Sequence, residues 1–243
     1  MKYSAVVPLH NETDSVAGLW NALGPVLGRL DGPAEAVLVD DGSSDATLER
    51  LKNLRPGPVP LVIVSLKHRS GLSNALQAGF DHAQGGILIT LDGDLQNDPA
   101  DIPVLLGKLG EGFDVVFGWR RVRRDPVSKK IISWIGNRLN RLFYGAAVHD
   151  AGCNLRAVRR EVTERIRLRS GLHRFFAVLA EREGFRVGEV AVTHHPRRAG
   201  SSKFGFWARA AQAAADFWMI RSIAEGGLGS FTPDYIVREV SRL

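Results

Sequence analysis

Five short stretches of the chain are almost wholly apolar: residues 3–8 (YSAVVP), 36–39 (AVLV), 61–65 (LVIVS), 87–91 (ILITL) and 115–118 (VVFG). None alternates apolar with polar, so each reads as a strand covered on both faces, as in a parallel sheet. Between them, residues 14–29, 45–54, 71–83 and 99–109 read as helices, with Asp45 as an N-cap and Pro99 as a first-turn proline. Strand–helix–strand alternation predicts an α/β fold with a doubly wound, Rossmann-like sheet. Ligands of such sheets sit beyond the carboxyl ends of the strands, so the residues that follow each run carry the functional signal.

The second half changes character. Arg120–Arg124 and Lys129–Lys130 make a basic, loop-like stretch around Pro126, and residues 130–143 follow at amphipathic helical spacing with Trp134, Phe143 and Tyr144 nearby. A strand pair is expected around residues 154–158 and 186–194. Residues 206–223 read as a second amphipathic helix, rich in alanine and aromatics, and a glycine-rich, then polar, tail follows Gly226. Both helices suit either a membrane surface or packing on the sheet.

Composition narrows the partners. With 32 Lys and Arg against 26 Asp and Glu, the net charge of +6 favours an anionic partner such as a nucleotide, a lipid phosphate or an acidic bilayer. The single cysteine, Cys153, excludes an internal disulfide and a cysteine-rich zinc site. The first residues show no secretory leader, and no apolar run reaches the roughly 20 residues of a membrane span. The expected location is therefore cytoplasmic, lying on the inner face of the membrane.

Chemistry concentrates at the strand ends. Asp92-Gly93-Asp94-Leu95-Gln96 follows the fourth run directly. Two carboxylates around one small residue repel each other unless a cation neutralises them. Mg²⁺ or Mn²⁺ bridging a diphosphate does so through oxygen ligands, and Gln96 adds a neutral one. Gly93 allows close approach of a ligand to the backbone. Asp40-Asp41-Gly42-Ser43-Ser44-Asp45 follows the second run, and Pro8-Leu9-His10-Asn11-Glu12 ends the first. Here Asp41 can accept from a ribose or base, His10 can stack on a base and Glu12 can accept from it. Three polar clusters after neighbouring strands point to one pocket.

The order P-x-x-N-E, V-D-D-G-S-x-D and D-x-D resembles the family 2 glycosyltransferases of the GT-A fold. Gly71-Leu72-Ser73-Asn74-Ala75, Gly118-Trp119-Arg120, Lys130-Ile131-Ile132-Ser133 and Arg197-Arg198-Ala199-Gly200-Ser201-Ser202-Lys203 extend the likeness over roughly residues 3–205. The last two look like the branch that contains dolichol-phosphate mannosyltransferase and bacterial polyprenyl-phosphate glycosyltransferases. The resemblance implies a GT-A catalytic domain at 1–205, with a mostly parallel sheet flanked by helices, and a helical appendage and tail at 206–243.

Residue by residue, the resemblance implies that Pro8, His10, Glu12, Val39, Asp41 and Gly93 line the nucleotide-sugar site. Asp92, Asp94 and Gln96 hold Mg²⁺ or Mn²⁺. Arg120, Arg197 and Lys203 grip phosphates, and Lys130, Ser133, Asp150, Arg156 and Ser202 lie on the acceptor-phosphate side. Two departures stand out: His10 occupies a position often held by tyrosine, and Ala151-Gly152-Cys153-Asn154-Leu155-Arg156 replaces a T-G-S-F-R run. Relatives often continue after the S-K motif into membrane spans; this sequence does not, which makes a peripheral association the expectation.

The implied reaction is inverting transfer of a mannose- or glucose-type hexose from GDP or UDP to a polyprenyl phosphate. Its acceptor is already anionic and needs no strong base. The competing expectation is transfer to a glycan or protein hydroxyl, which needs a carboxylate base, with Asp150 the candidate. A nucleotidyltransferase would open with a glycine-rich basic loop that P-L-H-N-E lacks, and no nucleic-acid reading motif is present. His194-His195 suggests a metal pair, but neighbours on a strand face opposite sides.

Overall fold

The computed structural model describes residues 1–121, 148–169, 171–196 and 234–243. The expected helices at 130–143 and 206–223 lie outside them, as do Lys130, Ser133, Arg197, Ser202 and Lys203.

In chain order the elements are β1 (Tyr3–Leu9), α1 (Val16–Leu27), β2 (Ala34–Asp40), α2 (Thr47–Lys52), β3 (Leu61–Leu66), α3 (Leu72–His82), β4 (Ile87–Thr90), a 3₁₀ turn (Pro99–Asp101), α4 (Ile102–Gly110) and β5 (Val115–Trp119). There follow β6 (Arg156–Arg159), α5 (Arg160–Arg165), a second 3₁₀ turn (Leu172–Phe175), α6 (Phe176–Arg182), β7 (Val187–Ala191) and β8 (Val237–Arg242). One sheet runs in the order β7-β5-β6-β4-β1-β2-β3-β8. β3, β2, β1 and β4 are mutually parallel, and β5 and β7 form a second parallel pair. β6 joins the two groups antiparallel to both neighbours, and β8 closes the β3 edge antiparallel.

The apolar runs are strands because both faces are covered. Alternate residues feed two cores: Val6, Val37, Val39, Val62, Val64 and Leu88 face α3 and α6, while Ala5, Val7, Leu9, Leu38, Ile63 and Ile89 face α1 and α4. The chain passes from β1 outward to β2 and β3, then returns to place β4 on the other side of β1. That reversal makes β1 and β4 the topological switch point, and α/β sheets bind their ligands beyond the carboxyl ends of the strands there.

Three details differ from the sequence reading. The strands at 154–158 and 186–194 exist, as β6 and β7, but each pairs with β5 and not with the other. The tail is not all irregular, because Val237–Arg242 is a strand of the main sheet. Asp45 lies one residue ahead of the N-cap position, Ala46, although its carboxylate accepts from Thr47 N at 3.0 Å and so still serves that helix start. Pro99 opens its turn as expected, with Asp98 accepting from Ala100 N at 2.9 Å.

Candidate active site

The tips of β1, β2 and β4 are bound to one another. Asp41 N donates to Leu9 O at 2.8 Å, and His10 Nδ1 donates to the Asp41 carbonyl at 2.8 Å. Asn11, in the left-handed region at φ 55°, accepts from Ser44 N at 2.8 Å and donates through its own N–H to Ser43 Oγ at 3.0 Å. The P-L-H-N-E run therefore clamps the D-D-G-S-S loop. From the other side Gly93 rests on β1: a Cβ there would stand 3.0 Å from Leu9 Cδ2 and 3.3 Å from Pro8 O. Gly93 thus packs tightly against the β1 tip, with little room for a side chain.

The two aspartates of the second loop divide the work. Asp40 is buried and turns inward, accepting from Ser43 N at 3.2 Å and from Ser65 Oγ at 3.3 Å. Asp41 accepts from the backbone N–H groups of Ser70 and Gly71 at 2.6 and 3.0 Å, fixing the turn that starts α3. Burial raises the Asp41 carboxyl above its usual range against the opposing pull of those two amides. Gly42, at φ +59°, must lack a side chain, since a Cβ would lie 2.4 Å from the His68 carbonyl carbon. Of the other expected nucleoside contacts, Glu12 accepts from Ser15 Oγ at 3.0 Å, and Val39 is fully buried against α3, so only its backbone can face a ligand.

Asp92 and Asp94 sit directly beyond β4. Asp94 is buried and accepts from Gln96 N at 3.1 Å. Leu95 between them is left-handed at φ 60°, a strained conformation held because its side chain packs under α1 beside Gly18. The loop is then pinned by the segment before Arg197. His195 N donates to Gln96 O at 2.8 Å, Gln96 Nε2 donates to His195 O at 3.4 Å, and His195 Nε2 meets Asp98 at 3.0 Å. His194 bridges to Asn97 and is buried, so the two histidines do face different ways.

Asp92 is partly buried, and its bonds come from two neutral amides: Asn154 Nδ2 at 2.8 Å and Asn97 Nδ2 at 3.4 Å. Desolvation, and then the charge of Asp94, raise its pKa. Among the described residues, Arg120 and Arg156, whose charges act on Asp92, are committed elsewhere. Arg120 forks onto Asp150, Nε to Oδ2 at 2.7 Å and Nη2 to Oδ1 at 2.9 Å, with side chains only 15% and 2% exposed. Burial works against the charge of Arg120, but the bonds to Asp150 outweigh it and hold its pKa above the ordinary value. Arg156 is buried and donates to the carbonyls of Cys153, His173 and Ala151 and to Asn154 Oδ1, with its guanidinium 4.7 Å from the Phe117 ring centroid. Four of its five N–H donors are spent on the protein, which makes Arg156 scaffolding and leaves it little to offer an acceptor phosphate.

Two close carboxylates, with the pKa of Asp92 raised, fit a divalent cation whose remaining ligands come from a diphosphate. Among the described residues no group of three or more His, Cys, Asp or Glu side chains could hold an ion by itself. A pH dependence follows. Asp92 titrates higher folded than unfolded, so its favourable contribution to folding is present below the unfolded value of about 3.9 and is lost as pH rises through the folded value. A cation binds the ionised form and offsets that loss. The extra melting temperature given by Mn²⁺ with a nucleoside diphosphate should therefore be larger at about pH 7.5 than at about pH 5, read by scanning calorimetry. An increment that shrinks with rising pH would contradict this assignment.

Sequence reasoning passed over Asn154, Asn97 and Asn11. Asn154 left a trace only as part of the departure at residues 151–156, and Asn11 only as a member of the P-x-x-N-E motif.

The family model described as "Glycosyl transferase family 2" matches residues 4–167. Dodecaprenyl-phosphate galacturonate synthase of Rhizobium johnstonii is 40% identical over 211 residues, 84% of this chain and 62% of that protein. Undecaprenyl-phosphate 4-deoxy-4-formamido-L-arabinose transferase of Klebsiella pneumoniae is 37% identical over 206 residues, 84% of this chain and 63% of that protein. The chain thus spans slightly over three fifths of these curated relatives. Among solved structures, glucosyl-3-phosphoglycerate synthase from Mycobacterium tuberculosis, in complex with Mn²⁺, uridine diphosphate and phosphoglyceric acid, superposes with a TM-score of 0.70 at 20% identity. That match covers 98% of this chain and 86% of the other, and it shows a shared GT-A fold.

Proposed function

This chain belongs to glycosyl transferase family 2, and from that premise we propose that it transfers a sugar from a nucleoside diphosphate to a polyprenyl phosphate at a membrane surface. The observation that carries the reading is the acidic pair Asp92 and Asp94, set beside the joined tips of β1 and β2. Support for the acceptor comes from the relatives, whose names specify dodecaprenyl and undecaprenyl phosphate. Those names also carry galacturonate and a formamido-arabinose, so the mannose- or glucose-type hexose expected from the sequence widens to a pyranose, modified or not.

In this reading Asp92, Asp94 and Gln96 hold Mg²⁺ or Mn²⁺, which supplies charge neutralisation for the departing diphosphate. Pro8, His10, Glu12, Asp41 and Gly93 border the nucleoside and sugar. Arg120, kept in place by Asp150, presents its remaining N–H groups to phosphate, and Arg197 and Lys203 are assigned the same task. Lys130, Ser133 and Ser202 are assigned to the acceptor side. The fork from Arg120 occupies both oxygens of Asp150, which suits an acceptor that needs no base better than a hydroxyl acceptor.

Offering polyprenyl phosphate and free glycans side by side, with labelled UDP- and GDP-sugars and Mn²⁺, tests the proposal. Label is expected in the lipid extract only; label on glycan hydroxyls alone would overturn it. No helix among the described residues is long and apolar enough to cross a membrane. Contact with the bilayer through the basic surface should appear as flotation with anionic liposomes at low salt, and absence of flotation would remove that part of the proposal.

A further inference from the structure

Asn154 lies in the stretch that departs from the T-G-S-F-R run, yet it makes the shortest bond to Asp92. Its Nδ2 donates to Asp92 Oδ1 at 2.8 Å, its Oδ1 accepts from Arg156 Nη2 at 3.0 Å, and its carbonyl accepts from Thr90 Oγ1 at 2.6 Å. The chemistry leaves one orientation for this amide. A carboxylate can only accept and a guanidinium can only donate, so the NH₂ end must face Asp92 and the oxygen must face Arg156. Arg156 is itself immobile, tied to three carbonyls and lying over Phe117. Thr90 ends β4 two residues before Asp92, and Asn154 stands two residues before β6 on the antiparallel neighbour. The bond from Thr90 therefore joins the two loops at their roots. Asn97 reaches the other Asp92 oxygen only at 3.4 Å.

We infer that Asn154 is a positioning residue: it fixes the carboxylate of Asp92 against a rigid arginine, so that the acidic pair is set before cation and diphosphate arrive. The inference rests on the reading of Asp92 and Asp94 given under Proposed function. Outer partners of metal-binding side chains orient them, and losing one weakens affinity by roughly 10- to 100-fold. An apolar residue at 154 would free Asp92 to rotate and leave one Arg156 N–H unbonded. Asn97, with its longer contact, should matter less.

The test is Mn²⁺ affinity, read by electron paramagnetic resonance of free Mn²⁺, in the presence of UDP or GDP, whichever stabilises the wild-type protein more. Asn154→Leu is expected to weaken Mn²⁺ binding by about tenfold or more, and Asn97→Ala by less. Asn154→Ser, which leaves room for a water, carries the same test if the leucine variant does not fold. A merely structural Asn154 would lower the melting temperature of the ligand-free variants while the folded protein kept wild-type Mn²⁺ affinity. That result overturns the inference and leaves the functional reading intact. Wild-type protein that binds Mn²⁺ with neither nucleotide overturns both.

Discussion

Asp94→Asn is expected to reduce sugar transfer on the order of 10³-fold, the loss that follows removal of a charge-stabilising group from a reaction site. Folding should not suffer. Asp94 is buried close enough to Asp92 to raise that carboxyl's pKa, so the ligand-free protein carries a like-charge repulsion that the substitution relieves. Melting temperature without ligand should stay level or rise, and the increment given by Mn²⁺ with nucleotide should vanish. Groups placed for chemistry commonly cost stability in this way. Activity within tenfold of wild type would show that Asp94 does not hold the cation.

The largest effect on stability belongs to the Arg120–Asp150 pair. Removing one partner of a buried ion pair leaves an uncompensated charge, at a cost of about 3–5 kcal/mol. Both Asp150→Ala and Arg120→Ala should therefore lower the urea midpoint strongly. The double variant should lose less than the sum of the two, because neither charge is then stranded. Kinetics separates the roles. Asp150→Ala leaves Arg120 in place but unaligned, so kcat/KM should fall by roughly 10- to 100-fold, with the pH–rate profile keeping its acid limb. If Asp150 were instead the base for a hydroxyl acceptor, that limb would disappear and Asp150→Asn would be inactive.

The parallel half of the fold was legible because its strands are covered on both faces, and a strand with no solvent side must be apolar throughout. β2 was read two residues short at its start since Glu35 interrupts it; that carboxylate is buried and satisfied by Ser4 Oγ and Gln84 N, both at 2.6 Å. Local pattern locates a strand but does not name its neighbour, so β5, β6 and β7 were each found while the pairing of β6 and β7 with β5 was not. β8 alternates partly buried with exposed residues, the mark of an edge strand, and its polar positions read as tail.

The site divides in the same manner. Asp41, Asp92 and Asp94 were visible because acidic residues directly after apolar runs are unusual whatever the fold. Asn154 was not, because its meaning lies in a partner 62 positions away. Arg156 was placed on the acceptor-phosphate side by the resemblance, and the folded chain surrounds it with carbonyls.

The central claim, that the paired carboxylates of Asp92 and Asp94 beyond β4 hold a cation gripping a diphosphate, is tested most directly by differential scanning fluorimetry of the wild-type protein with UDP, GDP and Mn²⁺, singly and combined. At about 100 times its dissociation constant, a ligand adds about 2.7 kcal/mol, on the order of 5–10 °C for a chain of this size. One nucleotide together with Mn²⁺ should give such a shift, well above the sum of the shifts each produces alone. Additive or absent shifts for both nucleotides would mean that Asp92 and Asp94 build no such site.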